Sequence, residues 1–491
     1  MSHFLSTFPV FSIARFVLET TSSLAVASGR TNHVFDSDLV RDASGLPMIP
    51  GTALAGVLRH LYWRQHGEGE MKRIFGFQDR DVGRTSLLEV SAGVIHDSQN
   101  QPASKHYSGG DDLLDFARET RQSPALRERV AIDLRGAAKT TGKFDRAVLP
   151  AGFRFSVELV LHSQRLDDPA FKQLLVLLAH PHFRLGASTR AGLGAVSVIQ
   201  VATAVLNLKV RKDALQFCKI DSDIGSNAEL KGWTKPDDAN QAPSQSDAIT
   251  NIVFNLTPKA AWRFGQGLTS LLGTADKPAD LLPRVERRVK WLGNMGKMGA
   301  DEIIIPASSL KGALRHRAYF YACCEAGYFA EPGQLETPDS PEKIRADEAI
   351  KAVFGDASDN TGPIESGSVG NLIFNDLFLA IPADKTKAVG TQMHNAIDRF
   401  SGGVRDRMLF SEELLFDIEQ PIEIALWLDE KRIGTEPAGA LGIAALMRAL
   451  EDLKAGRLAL GGGTSKGHGL FTEKFLPTPT ASPDREPQHA N

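Results

Sequence analysis

The stretch Leu46-Pro-Met-Ile-Pro-Gly-Thr-Ala-Leu-Ala-Gly-Val-Leu-Arg-His60 returns in the second half of the chain as Ile303-Ile-Ile-Pro-Ala-Ser-Ser-Leu-Lys-Gly-Ala-Leu-Arg-His316. Each copy reads as an apolar strand end, a proline stop and then a helix. Leu54, Val57, Leu58 and Leu61 fall at i, i+3, i+4 and i+7, one apolar stripe for packing on a sheet, and Leu310, Ala313, Leu314 and Ala318 repeat it. Thr52 and Ser308 are the expected caps, since a hydroxyl there can accept from the first unpaired helix N–H groups, which also favour an anion. A single copy would be read as a structural helix. Two copies make the chain a duplication.

At 491 residues the chain exceeds one ordinary core, and two domains of roughly 200 residues each are the default. A formal charge of −3 and a pI near 6.5 exclude a globally basic nucleic-acid binder, so a polyanion site must be a local concentration of Lys and Arg. Cys218, Cys323 and Cys324 form neither a CxxC nor a Cys/His metal spacing, which points to a reducing cytoplasm. Apolar runs such as Leu174 to Ala179 are too short to span a bilayer, so no membrane partner is expected.

Taken in order, Phe11 to Leu18 reads as a strand, about 52–64 as a helix, Leu87 to Ile95 as a second strand and Phe153 to Leu161 as a third. Pro169 to Ala179 is a helix opened by Asp167 or Asp168, and Gly194 to Val201 is a last strand. Strand, helix, strand, strand, helix, strand is the ferredoxin-like order, here with the long polar insertion 96–150 between strands two and three. RNA-binding domains often use that sheet. The second copy repeats it: Ile252 to Leu256, the helix after Pro306, Val353-Phe-Gly355 matching Ile74-Phe-Gly76, Asn371 to Phe374, Ile422 to Leu428, and a helix at 437–453. The expected fold is therefore α+β, with tandem ferredoxin-like (RRM-like) domains at 1–208 and 249–476. Residues 209–248 read as a linker or exposed insertion, and 477–491 as a disordered tail.

Each copy closes on a glycine loop, Leu185-Gly-Ala-Ser-Thr-Arg-Ala-Gly-Leu-Gly194 and Leu460-Gly-Gly-Gly-Thr-Ser-Lys-Gly-His-Gly469. Glycines at 186, 192, 461 and 467 would let backbone N–H groups turn toward an anion, with Arg190 or Lys466 beside them. A second internal match, Ala131-Ile-Asp133 with Ala396-Ile-Asp398, precedes polar stretches carrying Arg135, Lys139 and Lys143 in one copy and Arg405 in the other. These read as solvated hairpins or nucleic-acid fingers. Between Arg284 and Arg317, the cations Arg284, Arg287, Arg288, Lys290, Lys297, Lys311, Arg315 and Arg317 outnumber Glu286, Asp301 and Glu302. Such an excess suits an RNA backbone, with Trp291 either stacking on a base or packing in the core. Arg59 is the counterpart of Arg315.

With these motifs the chain resembles the RAMP superfamily, the backbone subunits that line CRISPR RNA in type III effector complexes; the fused pair is similar to the double subunits of type III-D systems. The resemblance implies that each sheet grips the guide, that the insertion between strands two and three is a thumb hairpin wedged into the guide–target duplex, and that target single-stranded RNA and other effector subunits, including a large polymerase-like one, are partners. Family members that cut target RNA carry an aspartate in the loop before the proline stretch. That loop here is Phe35-Asp-Ser-Asp-Leu-Val-Arg-Asp42, which places the acid at Asp36, with Asp38 the runner-up. Asp36 is also the candidate ligand for Mg2+ or another divalent cation, and the implied cut leaves a cyclic phosphate. Three solvated turn aspartates are the competing reading. The copies depart from the family pattern in complementary ways: Ala55 stands opposite Lys311, and Leu292, Gly293 and Asn294 stand where the acid would be. An endoribonuclease subunit with one active site in the first copy and an inactive RNA-binding module both remain open.

Overall fold

A computed structural model describes residues 7–29, 37–80, 82–103, 105–132, 138–234, 249–265, 267–273, 278–329, 340–356, 367–418, 420–434 and 437–473. The principal elements of the first half are β1 (Val10–Thr20), α1 (Gly51–Phe75), β2 (Leu88–Val90), β3 (Val94–Ile95), α2 (Asp112–Glu119), β4 (Ala125–Ile132), β5 (Ala138–Val148), β6 (Arg154–Ser163), α3 (Pro169–Leu177), β7 (Val196–Asn207), α4 (Arg211–Phe217) and β8 (Lys231–Thr234). Those of the second are β9 (Ile249–Pro258), β10 (Val285–Leu292), β11 (Met295–Ile305), α5 (Ala307–Ala326), α6 (Pro341–Phe354), β12 (Leu372–Phe374), β13 (Leu377–Ala380), β14 (Val389–His394), β15 (Phe410–Leu415), β16 (Ile422–Asp429), α7 (Pro437–Lys454) and β17 (Phe471–Glu473). The first sheet runs β8-β7-β1-β6-β2, with β3 also on β6, and the second runs β12-β16-β9-β17; all pairs are antiparallel. Each half is mixed α/β with its first strand central, an order compatible with a ferredoxin-like fold. In each, a two-stranded hairpin, β4–β5 or β14–β15, lies between the second and third sheet strands. Among the described residues no helix is long and apolar enough to cross a membrane.

The duplicated stretch forms a helix in both halves, preceded by the end of β11 in the second but only by isolated bridges at Pro47 and Ile49 in the first, and the hydroxyls do not cap. Pro50 and Pro306 occupy the N-cap positions, with no side-chain cap bond, and Thr52 and Ser308 fall inside the first turn. Proline fits there because its fixed φ leads into a helix. The Ala307 N–H is satisfied from elsewhere, by Asp376 Oδ1 at 2.8 Å. Each Phe-Gly pair ends a helix: Gly76 (φ 71°) and Gly355 (φ 78°) donate back to the carbonyls of Lys72 and Lys351. A Cβ at Gly76 would lie 2.4 Å from the Arg84 carbonyl oxygen, so only glycine fits. The second strand of the first half is split by Ser91–Gly93, and α1 continues past 64 through a non-helical Gly67.

The expected linker at 209–248 is, in its described part, packed onto the first half: α4 follows β7, and β8 adds an edge strand. Ile13, Ala204 and Leu206, on the sheet face away from α1 and α3, pack with Phe11, Leu208, Ile220 and Leu230. On the same face Arg15 bonds Glu158 (2.6 Å) and donates to the carbonyls of Asp221, Asp223 and Ser226. This covers the face that an RNA-gripping sheet would present. The rest of 209–248, the tail 477–491, Asp36 and Arg135 lie outside the described residues.

Residues 285–305 form a hairpin that reaches back into the first half. Val289 is buried, and it packs with Trp291 and Met298 against the first half's core. The Val289 N–H donates to the Ala151 carbonyl, Trp291 Nε1 donates to the Gly152 carbonyl at 2.7 Å, and the Arg154 guanidinium lies 4.0 Å from the Trp291 ring. Trp291 is thus a packing residue, held in place by a bonded indole N–H and a cation over its face. Trp291→Ala should destabilise the chain by about 2–4 kcal/mol, read as a lower thermal midpoint. RNA affinity at a temperature where the variant stays folded should be unchanged.

Candidate nucleic-acid interface

The glycine loop of the first half docks on the start of α5. Ser188 (φ 58°) and Gly192 (φ 98°) bracket a single tight turn, Thr189–Ala191. A Cβ at Gly192 would lie 2.4 Å from Asp376 Oδ1 and 2.5 Å from the Ala307 Cβ. Glycine is required here for contact between the two halves, not for approach to a ligand. Gly186 and Gly461 are required for close packing within their own halves, since their Cβ atoms would each lie 2.3 Å from a carbonyl oxygen, of Ala25 and Arg263 respectively. Gly467 differs: of the described residues none would meet its Cβ within 4 Å.

Arg127 of β4 enters this junction and is only 5% exposed at its side chain, donating to Asp376 Oδ2 and Glu286 Oε2, both at 2.8 Å, and to Ser23 Oγ. Burial raises the Asp376 carboxyl above the usual range, with Arg127 opposing it. Arg284 bonds Glu286 and the Leu126 carbonyl. A cavity of about 70 Å³ remains beside them, lined by Arg127, Arg129, Arg284, Ser308 and Ser309 among others.

One turn into α5, half-buried Lys311 faces cations. Burial, then Arg315, Arg190 and Arg129, push its ammonium down to about 8. Arg129 is pushed down to about 10 by burial and Arg146, and both these arginines donate to Ser188 Oγ. Arg190 is pushed down to about 9 by burial, Arg432 and Arg184. Its guanidinium donates to the Gly370 carbonyl (2.9 Å) and to His182 Nδ1 (2.6 Å). His182, driven by burial down to about 4, is neutral; its Nε2 lies 3.2 Å from Asp429 Oδ2, which Arg64 also approaches at 3.2 Å. Burial works against ionisation of Asp429, yet His182 and Arg64 hold its carboxyl below the usual range.

The remaining predicted residues scatter. Arg59 and Arg315 are exposed on their helices, Arg405 is exposed after β14, and Lys139 lies on β5. Exposed Lys143 pairs with Glu128 (3.1 Å), and Lys466 sits 4.6 Å over the Phe410 ring. Three of the cations between Arg284 and Arg317 are engaged within the hairpin itself. Arg288 grips Glu302 through two bonds, Lys290 joins the same carboxylate at 3.0 Å, and Arg287 donates to the Gly299 carbonyl. Asp38 accepts from the Leu39 N–H through Oδ1, and its charge favours the Arg41 guanidinium. Among the described residues no group of three His, Cys, Asp or Glu side chains could hold a metal ion. Sequence reasoning missed Arg127, Arg129 and Asp376. The alternation Arg127-Glu-Arg129 before the Ala131-Ile-Asp133 match is the signal that could have found the first two.

Two segments, residues 17–197 and 296–472, match the family model of the RAMP superfamily. The chain belongs to the RAMP superfamily. No curated protein matches it. Among solved structures it is similar to a chain of the Type III-B Cmr-beta complex bound to cognate target RNA, at 14% identity and a TM-score of 0.28, over 41% of this chain and 63% of that one. The match thus spans under two thirds of that chain. Each RAMP segment contains one copy of the duplicated helix start and one glycine loop.

Arg127→Ala should leave Asp376 buried without its cation, and Glu286 with Arg284 alone, and destabilise the chain by about 3–5 kcal/mol in equilibrium unfolding. The double change Arg127→Met with Asp376→Asn should recover part of that loss.

Proposed function

We propose that this chain is an RNA-binding backbone subunit of a type III CRISPR effector complex, holding CRISPR RNA along the junction of its two RAMP segments and cutting paired target RNA at Asp36 with Mg2+ or a similar ion. Each segment is read as a ferredoxin-like domain, with β4–β5 and β14–β15 as its thumbs. The observation that carries RNA binding is the Lys311 cluster. Lys311, Arg129, Arg190 and Arg315 act on one another with like charge, an arrangement that is unfavourable alone and is relieved by a polyanion. The grip is assigned to helix start, hairpin and loop, since Arg15 and its covering segment occupy the outer face of the first sheet. At the thumb tip of the second segment, Asp398 Oδ1 accepts from the N–H groups of Phe400 and Ser401, and the Phe400 side chain is fully exposed. It suits insertion between bases.

Phosphate binds the charged form of Lys311, so above about pH 8 binding must first supply a proton. RNA affinity should therefore fall as pH rises from about 7.5 to about 9.5, by up to about tenfold per unit. Lys311→Arg should make that slope shallower in anisotropy titrations, since a guanidinium starts from a much higher value than an ammonium. Affinity should also fall steeply with added salt and depend little on base sequence.

Asp36→Ala in a guide-loaded complex should remove one target-cleavage product while guide binding and the other cuts persist, and chelation should imitate it. Loss of that product from Asp38→Ala instead would move the acid by two residues. Full products from both variants would make the first segment an inactive binding module.

A further inference from the structure

The two hairpins keep one register and differ in chemistry. On β4–β5, Arg127 pairs with Arg146 and Arg129 with Phe144; on β14–β15, Gln392 pairs with Glu412 and His394 with Phe410. The glycine loops match as closely, since the Leu193 N–H bonds the Ser188 carbonyl as the His468 N–H bonds that of Gly463. At the helix starts, the Leu87 N–H bonds the Ile74 carbonyl as the Asn371 N–H bonds that of Val353, which sets Ala92 opposite Asp376. Where the first half gathers Arg129 and Arg146 on Ser188, the second therefore places His394, Glu412 and Gly463. It adds His468 in place of the buried Leu193, and Lys466 in place of Ala191.

These side chains form one assembly. His394 Nε2 lies 3.0 Å from Glu412 Oε2, and Arg263 Nε donates to Glu412 Oε1 at 2.8 Å. Burial opposes ionisation of Glu412, yet Arg263 holds its carboxyl below the usual range. A carboxylate in that state accepts from Nε2 and leaves Nδ1 of the imidazole for another partner. Phe410 fixes the ring further, stacked on it at 4.9 Å, and Lys466 Nζ lies 4.6 Å over the same phenylalanine. The His468 ring is 6.2 Å from that of His394. Its Nδ1 is enclosed beside Gly463, so Nε2 is the nitrogen that can meet a ligand. Burial pushes this imidazole down, against Glu412 and together with His394, Lys466 and Arg263, so it is the neutral one of the two near pH 7. In the first half α5 closes over the loop at Gly192, whereas Thr464 to Gly467 are exposed.

We propose that His394, His468 and Lys466 form a second ribonuclease site, which cuts unpaired RNA by proton transfer between imidazoles. This rests on the reading of the chain as an RNA-binding subunit: the position at which Arg129 grips phosphate in the first half becomes, in the second, one at which phosphate meets two imidazoles. His468 Nε2 accepts the proton of a ribose 2′-hydroxyl, and the 2′-oxygen attacks the adjacent phosphorus. His394, as an imidazolium oriented by Glu412, gives its Nδ1 proton to the departing 5′-oxygen. Lys466 meets the charge that develops on the non-bridging oxygens. The P–O2′ bond forms as the P–O5′ bond breaks, one proton is taken and one is given, and the products are a 2′,3′-cyclic phosphate and a 5′-hydroxyl. The strand must be unpaired because the 2′-oxygen has to swing in line with the bond that breaks.

The full chain is incubated with a fluorescein-labelled single-stranded oligoribonucleotide in excess EDTA, which silences metal-dependent cutting, and binding is followed by anisotropy in the same samples. The expected result is a product ending in a cyclic phosphate, and none from the same sequence made of deoxyribose. Its rate should follow a bell-shaped pH profile, rising as His468 loses its proton and falling as His394 loses its own. His394→Gln and His468→Gln should each lower the rate at least a hundredfold. The residual rate of His394→Gln should lack the falling limb, a change that a merely structural histidine would not produce. His394 is only partly buried, so its variant decides the matter even where His468→Gln fails to fold. Bound RNA that stays intact in EDTA, or a product whose rate and pH profile survive His394→Gln, would overturn the proposal. A wild-type chain that binds no RNA would overturn the functional reading as well, whereas bound but uncut RNA overturns this inference alone.

Discussion

Arg127 reaches from the hairpin of the first segment into the second, where its guanidinium lies between Asp376 and Glu286 in a site almost closed to water. Two carboxylates and one guanidinium in such a place are tolerable only as a set. Removing the cation strands Asp376 and leaves Glu286 to Arg284 alone. Around this group the rest of the junction is arranged. Asp376 uses its second oxygen to satisfy the first N–H of α5, Gly192 makes room for that oxygen, and Arg284 clamps Glu286 to the hairpin backbone. A helix start expected to be an open anion site is thus already occupied by a protein carboxylate. The positive field continues one turn later, at Lys311.

The two halves share a framework and divide the chemistry. At the first helix start the acid is absent, Ala92 replacing Asp376, and the lysine is absent, Ala55 replacing Lys311. At the second both are present, and the loop of the preceding half completes the site. The cationic cluster is therefore shared between segments: Arg129 and Arg190 come from the first, Lys311 and Arg315 from the second. Neither segment alone assembles it.

Much of this was legible in the chain. The repeated strand, proline and helix, the Phe-Gly turns and the two glycine loops give the element order because each depends on local backbone rules: a fixed φ, a left-handed residue, an apolar period. The roles of the polar residues were not legible, because they are decided by partners distant in sequence. Arg288 and Lys290 read as free cations until Glu302 is brought across the β10–β11 pair. Trp291 reads equally as a stacking or a core residue until the hairpin delivers it to Gly152. The polar residues that dominate from Asp221 onward make 209–248 read as a linker or exposed insertion, whereas Ile220 and Leu230 within it are anchored on one sheet face. Asp36 lies outside the described residues.

The Arg15 contacts have an evolutionary corollary. Its guanidinium holds the covering segment by three main-chain carbonyls, at Asp221, Asp223 and Ser226, and by none of their side chains. A clasp that reads only backbone places almost no demand on residue identity. Apart from the anchored Ile220 and Leu230, this segment can accumulate substitutions so long as its path is kept, while Arg15 and Glu158 cannot. Relatives could therefore retain the covered sheet while showing no recognisable similarity across it, and sequence comparison would place a domain boundary where the structure has none.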